Sequence, residues 1–90
     1  MYYLYIIQSE KMGRYYVGVT GNLERRIEEH NNGCTKSTKP YRPWKIRKVE
    51  EFADSTSAYK RERFIKSKHS RKAIDKIIGI TPVGKSIPTS

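Results

Sequence analysis

This sequence predicts an α+β fold, a small antiparallel sheet with helices packed on it. Three observations carry that expectation. Two runs rich in aromatic and β-branched residues, Tyr2 to Gln8 and Tyr15 to Thr20, stand a hairpin's length apart. A third such run, Trp44 to Phe52, follows later. The segments between and after these runs space their apolar residues as helices do, so the order reads β-β-α-β-α-α.

Tyr2 to Gln8 is too apolar for strict alternation, which predicts a strand covered on both faces. Ser9 to Arg14 contains Gly13 and has the length of a hairpin connection. In the first helix, Asn22 to Asn31, Thr20 or Asn22 can cap the start, Leu23 and Ile27 stand four apart, and Asn32-Gly33 ends it. Cys34 to Pro43 reads as a polar loop. Trp44 to Phe52 reads as the third strand, although Lys48 interrupts its apolar pattern. Ser55, Thr56 and Ser57 are N-cap candidates for a second helix from about Ser57 to Lys68. Arg71 to Ile78 forms a third, with Ile74, Ile77 and Ile78 as its apolar side. Residues 79–90 hold Pro82, Gly84 and Pro88 without periodicity and read as a loose tail, leaving 1–78 as the domain.

A chain of 90 residues supports one core. Nineteen Lys and Arg against nine Asp and Glu leave +10, which favours a polyanionic partner, nucleic acid or an acidic membrane surface. No apolar run approaches the roughly 18 residues of a membrane span, and no basic stretch or cleavage site marks a signal peptide, so a cytoplasmic protein is expected. The single Cys34 excludes an internal disulfide and a Cys-rich zinc site, and no partner for a catalytic thiol is visible.

Polar residues on apolar faces narrow the field. Measured around the helix axis from Leu23, Ile27 falls at about 40°, His30 at about 340° and Arg26 at about 300°. Arg26 and His30 thus flank the inward stripe, whereas Arg25 faces solvent, where pairing with Glu29 explains it. A buried guanidinium must find an acceptor. His30 is equally readable as a helix-end histidine that favours the dipole. On the second helix, Glu62 falls at about 40° from Ala58, inside the apolar stripe. It is also the sole acid between Asp54 and Asp75. Its partner can be a structural Arg or Lys, or a divalent cation completed by water and phosphate. On the hairpin, a register pairing odd with even positions puts Tyr5 and Tyr16 on one face, and Gly18 leaves space beside them. Two phenols, a guanidinium, an imidazole and a carboxylate together suit phosphodiester cleavage. Lys36, Lys39 and Arg42 on the loop, with Lys60, Arg61 and Lys66 on the second helix, read as a phosphate track or as a solvated face. Tyr41 and Trp44 can stack on bases, with strand-edge packing the plainer reading for Trp44. His69 reads as solvated.

These residues resemble the GIY-YIG nuclease domain, in particular its small single-domain bacterial members. The first motif stands as Tyr3-Leu4-Tyr5 and the second as Tyr16-Val17-Gly18. The segments Asn22 to Asn31, Tyr41 to Lys45 and Ala58 to Glu62 fit in order and spacing, over about Tyr2 to Ile78. The resemblance implies a three-stranded antiparallel sheet flanked by helices and divalent-metal-dependent hydrolysis of a nucleic-acid phosphodiester. It implies Tyr5 and Tyr16 as the motif tyrosines, with Tyr5 the general base, and Arg26 as the phosphate-binding arginine. It implies Glu62 as the ligand of one Mg²⁺ or Mn²⁺, and His30 as a residue that positions or activates the nucleophile. The expected function is an endonuclease acting on DNA, with branched, flapped or damaged structures as substrates and a place in DNA repair. The alternative is a catalytically weak DNA- or RNA-binding module. Two departures stand out. Tyr3 replaces the Gly of the first motif, and no Asn follows Asn32 where relatives carry a late one; Asp75 and Lys76 are the nearest polar residues there. With no room for a second domain, a partner protein is expected to supply specificity.

Overall fold

The computed structural model describes residues 1–68 and 71–79. His69 and nearly all of the expected tail lie outside them. The element order is β1 (Tyr2–Ser9), β2 (Tyr15–Thr20), α1 (Leu23–Asn31), β3 (Trp44–Phe52), α2 (Ser55–Lys66) and α3 (Arg71–Ile78), the expected β-β-α-β-α-α. The sheet runs β2-β1-β3, antiparallel throughout.

The central place of β1 explains its composition. Leu4, Ile6 and Ile7 are fully buried and Tyr5 is 1 % exposed, because both faces of this strand are covered. Leu4, Ile6, Val17 and Ile65 form one core, completed by Tyr15, Val19, Phe52 and the apolar side of α3. Tyr5, Ile7 and Trp44 form the other, completed by Tyr16, Leu23, Ile27 and Tyr41. Each large apolar side chain buried this way contributes roughly 1.5–3 kcal/mol. β3 is the exposed edge. Ile6 faces Lys48 while Ile7 faces Ile46, so Arg47 is an extra residue in a bulge. The irregular apolar pattern around Lys48 has its cause in that bulge and in the exposure of the edge.

Asn22 caps α1 by accepting the Arg25 N–H at 3.1 Å, and Gly33 ends it with φ +80°. α2 starts two residues earlier than its serines suggest. Asp54, not a hydroxyl residue, is the cap: its carboxylate accepts the Ser57 N–H at 2.8 Å. That bond holds the Asp54 carboxyl below its usual range. The polar loop is built rather than loose. It includes a 3₁₀ turn, Lys39–Tyr41, and carries the buried Thr38. Asn31 bridges across it, donating to the Trp44 carbonyl at 3.2 Å and accepting the Trp44 N–H at 2.6 Å. Among the described residues no helix is long and apolar enough to cross a membrane.

Candidate active site

The register decides which side chains meet. Tyr5 pairs with Gly18 and Ile7 with Tyr16, odd with even, the register that puts both tyrosines on one face. Tyr5 and Tyr16 therefore project from the same face as diagonal neighbours, with ring centroids 6.4 Å apart. The space beside Gly18 is filled by the protein itself. A Cβ there would lie 2.6 Å from Tyr5 Cζ, so the phenol lies across the glycine.

α1 delivers the next two groups. His30 is fully buried, and its Nε2 lies 3.0 Å from the Tyr5 hydroxyl. Its Nδ1 lies 2.8 Å from Thr38 Oγ1. The Thr38 hydroxyl itself donates to the Thr35 carbonyl at 3.4 Å. A Thr38 hydroxyl that donates to Thr35 can accept from Nδ1–H, and in that tautomer Nε2 accepts from the Tyr5 O–H. Tyr16 completes the cluster, its ring edge-on to His30 at 5.0 Å.

Burial and then the Arg26 charge push His30 down to about 4. It is a neutral imidazole at pH 7, which removes the reading of a charged histidine serving the helix dipole. The sign of the resulting pH dependence follows. Between about 4 and the ordinary 6.5 the unfolded chain binds the proton and the folded chain does not. Stability is complete above that window and falls as the pH drops through it. Urea unfolding is expected to show a loss of about 2 kcal/mol between pH 7.5 and pH 5. His30→Gln is expected to flatten that slope; an equally steep slope in the variant would assign it to other groups.

Burial also raises the Tyr5 phenol, opposed by a hydrogen bond and a charge from Arg26. Arg26 itself donates from Nη1 to Glu29 Oε1 at 2.9 Å, and Glu29 also holds Arg25 at 3.6 Å. Glu29 is thus the acceptor that the inward arginine needs, and it raises the Arg26 pKa further. Glu62 is half-buried on α2, close enough for its charge to act on Tyr5. Its carboxylate pairs with Lys66 at 3.0 Å rather than with Arg26.

The other cations divide. Lys36, Lys39, Arg42 and Lys60 are exposed. Arg61 is committed to Glu50 by two bonds, at 2.9 and 3.1 Å, and Lys66 to Glu62. Asp75 is not at this site. It accepts the Tyr15 hydroxyl, and Tyr15 belongs to the opposite core. Trp44 is 5 % exposed, and its indole N–H donates to the Thr38 carbonyl at 3.0 Å, which bears out strand packing. Cys34 is exposed and free. Sequence reading missed Thr38 as a support of this cluster and gave Glu29 to Arg25, whereas Glu29 holds both arginines.

The family model described as the GIY-YIG catalytic domain matches residues 1–75. The chain belongs to the GIY-YIG family. GIY-YIG relatives include a UPF0213 protein of Clostridium perfringens, 43 % identical over 67 residues, 73 % of this chain and 71 % of that one. A UPF0213 protein of Halobacterium salinarum is 37 % identical over 67 residues, covering 73 % and 86 %. The solution NMR structure of a UPF0213 protein from Bacillus halodurans superposes with a TM-score of 0.55 at 26 % identity, over 93 % of this chain and 89 % of that one. A GIY-YIG catalytic domain implies a nuclease-like fold and a nucleic-acid substrate.

Among the described residues no group of three or more His, Cys, Asp or Glu side chains encloses a metal position. The cluster still suits Mg²⁺, which takes one or two carboxylates and leaves its other positions to water and phosphate. Glu62 carries the carboxylate, and Lys66 now places a positive charge on it.

Proposed function

We propose that this chain is a divalent-metal-dependent endonuclease that hydrolyses phosphodiester bonds, most suitably in DNA. The observation that carries the reading is the hydrogen-bonded chain Tyr5–His30–Thr38, with Arg26 acting on the same phenol. A buried phenol is a poor base on its own, because its anion is disfavoured. It becomes effective if its own proton leaves as it takes one from water. His30 Nε2 is the acceptor in place for that proton. The water oxygen then bonds to phosphorus and the bond to the leaving sugar oxygen breaks; that oxygen takes a proton from solvent, and His30 returns its own through the Tyr5 hydroxyl to solvent, restoring the neutral imidazole. Arg26 binds the non-bridging oxygens and offsets their growing charge. Tyr16 orients water or phosphate beside Tyr5. Glu62 would hold Mg²⁺ or Mn²⁺, which supplies Lewis-acid stabilisation when bound. Lys36, Lys39, Arg42 and Lys60 contribute a backbone affinity that falls with salt and shows little sequence choice.

The second reading, a binding module without hydrolysis, draws on the pairing of Arg26 with Glu29 and of Glu62 with Lys66. One assay separates the two. Supercoiled plasmid and branched oligonucleotides are incubated with Mg²⁺ or Mn²⁺ and wild type, Glu62→Gln or Arg26→Ala. Loss of cleavage in both variants supports the nuclease. Binding without cleavage by wild type supports the module, and cleavage that survives both substitutions rejects the nuclease.

Thr38 acts through His30 and gives a further check. Thr38→Val removes the acceptor for Nδ1–H at nearly constant volume, so the Nε2–H tautomer becomes populated. Nitrogen-15 spectra of the imidazole are expected to show that change, with about a tenfold loss of cleavage, as for one positioning hydrogen bond. Thr38→Ser is expected to restore both. An unchanged tautomer in Thr38→Val would remove this role.

A further inference from the structure

Beside the catalytic cluster lies a cavity of about 260 Å³, lined by Arg14, Tyr15, Tyr16, Ser37, Thr38, Tyr41 and Trp44. It shares two residues with that cluster, Tyr16 and Thr38. Four of its lining residues are aromatic, and the rings of three of them, Tyr16, Tyr41 and Trp44, pack against one another. Trp44 lies at the centre, with Tyr16 edge-on at 6.2 Å and Tyr41 edge-on at 6.4 Å. Arg14 covers the Tyr41 side, its guanidinium 4.9 Å from that ring and its Nη1 donating to the Tyr41 hydroxyl at 2.6 Å. Among the described residues Arg14 has no carboxylate partner. Ser37 adds an exposed hydroxyl at the rim.

We propose that this cavity is a subsite for one unpaired nucleobase adjoining the scissile phosphate, with Arg14 binding that nucleotide's phosphate. The inference rests on the nuclease reading for its placement, but not for its chemistry. The volume is just below the roughly 300–1,000 Å³ of small-molecule pockets, which suits one planar ring system rather than a larger ligand. Trp44 is 5 % exposed and backs the wall, so a base would stack on the half-buried Tyr16 or Tyr41, and such stacking takes any base because every base has a π-face. An arginine held over a ring and unpaired with acid carries charge to the rim, where a phosphate would lie. A base inside a duplex is stacked on both faces and cannot enter. The subsite therefore selects nucleotides already unpaired or splayed out of the helix. It gives the domain a structure preference of its own: strands at flaps, branches and ends.

The chain supplies its own reporter, since Trp44 is its single tryptophan and lies in the cavity wall. The experiment titrates the full chain with tetrathymidylate, with tetrauridylate and with a blunt duplex, in EDTA and without divalent metal, following Trp44 emission. A saturable emission change is expected with the single strands and not with the duplex. Tyr41→Leu keeps an apolar side chain against Trp44 but removes the flat face. It is expected to weaken single-strand binding about 5- to 100-fold, the usual span for one stacked base. Arg14→Gln changes an exposed residue and is expected to lower the slope of log Kd against log salt by about one. Equal emission changes with duplex and single strand would overturn the subsite. So would an affinity unaltered by both substitutions. The two readings stay apart: a plasmid assay in which wild type does not cleave removes the nuclease, whereas strand discrimination lost in wild type and in Glu62→Gln alike removes the subsite.

Discussion

Glu62→Gln is expected to lower plasmid cleavage by roughly 10³-fold, the scale of losing several kcal/mol of metal-borne transition-state stabilisation. The same substitution is expected to leave the melting temperature nearly unchanged. Its carboxylate pairs with Lys66, whose side chain is 54 % exposed. Pairs of that kind contribute about 0–1 kcal/mol. Activity and stability therefore separate at this position, which is what a ligand position requires and a structural one does not. Arg26→Ala should behave differently in detail. Its guanidinium is shared between Glu29 and the Tyr5 phenol. Removing it frees Glu29, which faces solvent on one side, and releases the opposition to burial at Tyr5. Cleavage is expected to fall about 10²- to 10³-fold, as for loss of one preorganised donor, and the Tyr5 phenol should titrate higher than in wild type. Spectrophotometric titration of tyrosine in both variants checks this. Residual cleavage near wild type in either variant would mean that the carboxylate and the guanidinium do not act on the reaction.

How much of this was legible follows from the range of each interaction. Strand parity is local, so the shared face of Tyr5 and Tyr16 could be read from a two-residue period. Helical phase is local too, which is why Arg26, His30 and Glu62 stood out as polar groups on inward arcs. Arg26 and Glu62 bond to neighbours on their own helices, Glu29 and Lys66, but what His30 bonds to is not local. The Thr38 contact needs the loop to fold back eight residues onto α1, and no periodicity marks it. The pairing of Arg61 with Glu50 joins a helix to an edge strand, so a residue read as phosphate-binding turned out to be tied to a carboxylate. Asp54 was overlooked as a cap because three hydroxyl residues follow it, although an aspartate at a helix N-terminus adds charge to the same hydrogen bond. Gly18 was half legible. Its missing side chain was visible, but not that Tyr5 occupies the space.

That occupancy makes Gly18→Ala the second large expected effect. Gly18 is not among the glycines with positive φ, so alanine meets no backbone strain there. The obstacle is space alone: the added Cβ would lie 2.6 Å from Tyr5 Cζ and 3.1 Å from Cε2. Both partners are held, Gly18 by the β1–β2 ladder and Tyr5 by the core and His30, so neither yields cheaply. Overpacking of this kind costs about 1–3 kcal/mol, and a fall in melting temperature of at least about 5 °C is expected for a domain this small. The relief available is for the Tyr5 ring to swing off the glycine. That takes the phenol away from His30 Nε2 and breaks the relay, so cleavage should fall as far as it does in Tyr5→Phe. A double-mutant cycle with Tyr5→Leu tests the cause. Without the ring, the added methyl meets open space, and Gly18→Ala should cost less than about 0.5 kcal/mol in that background. An equal cost with and without the ring would place the glycine's requirement in the strand rather than in the phenol above it.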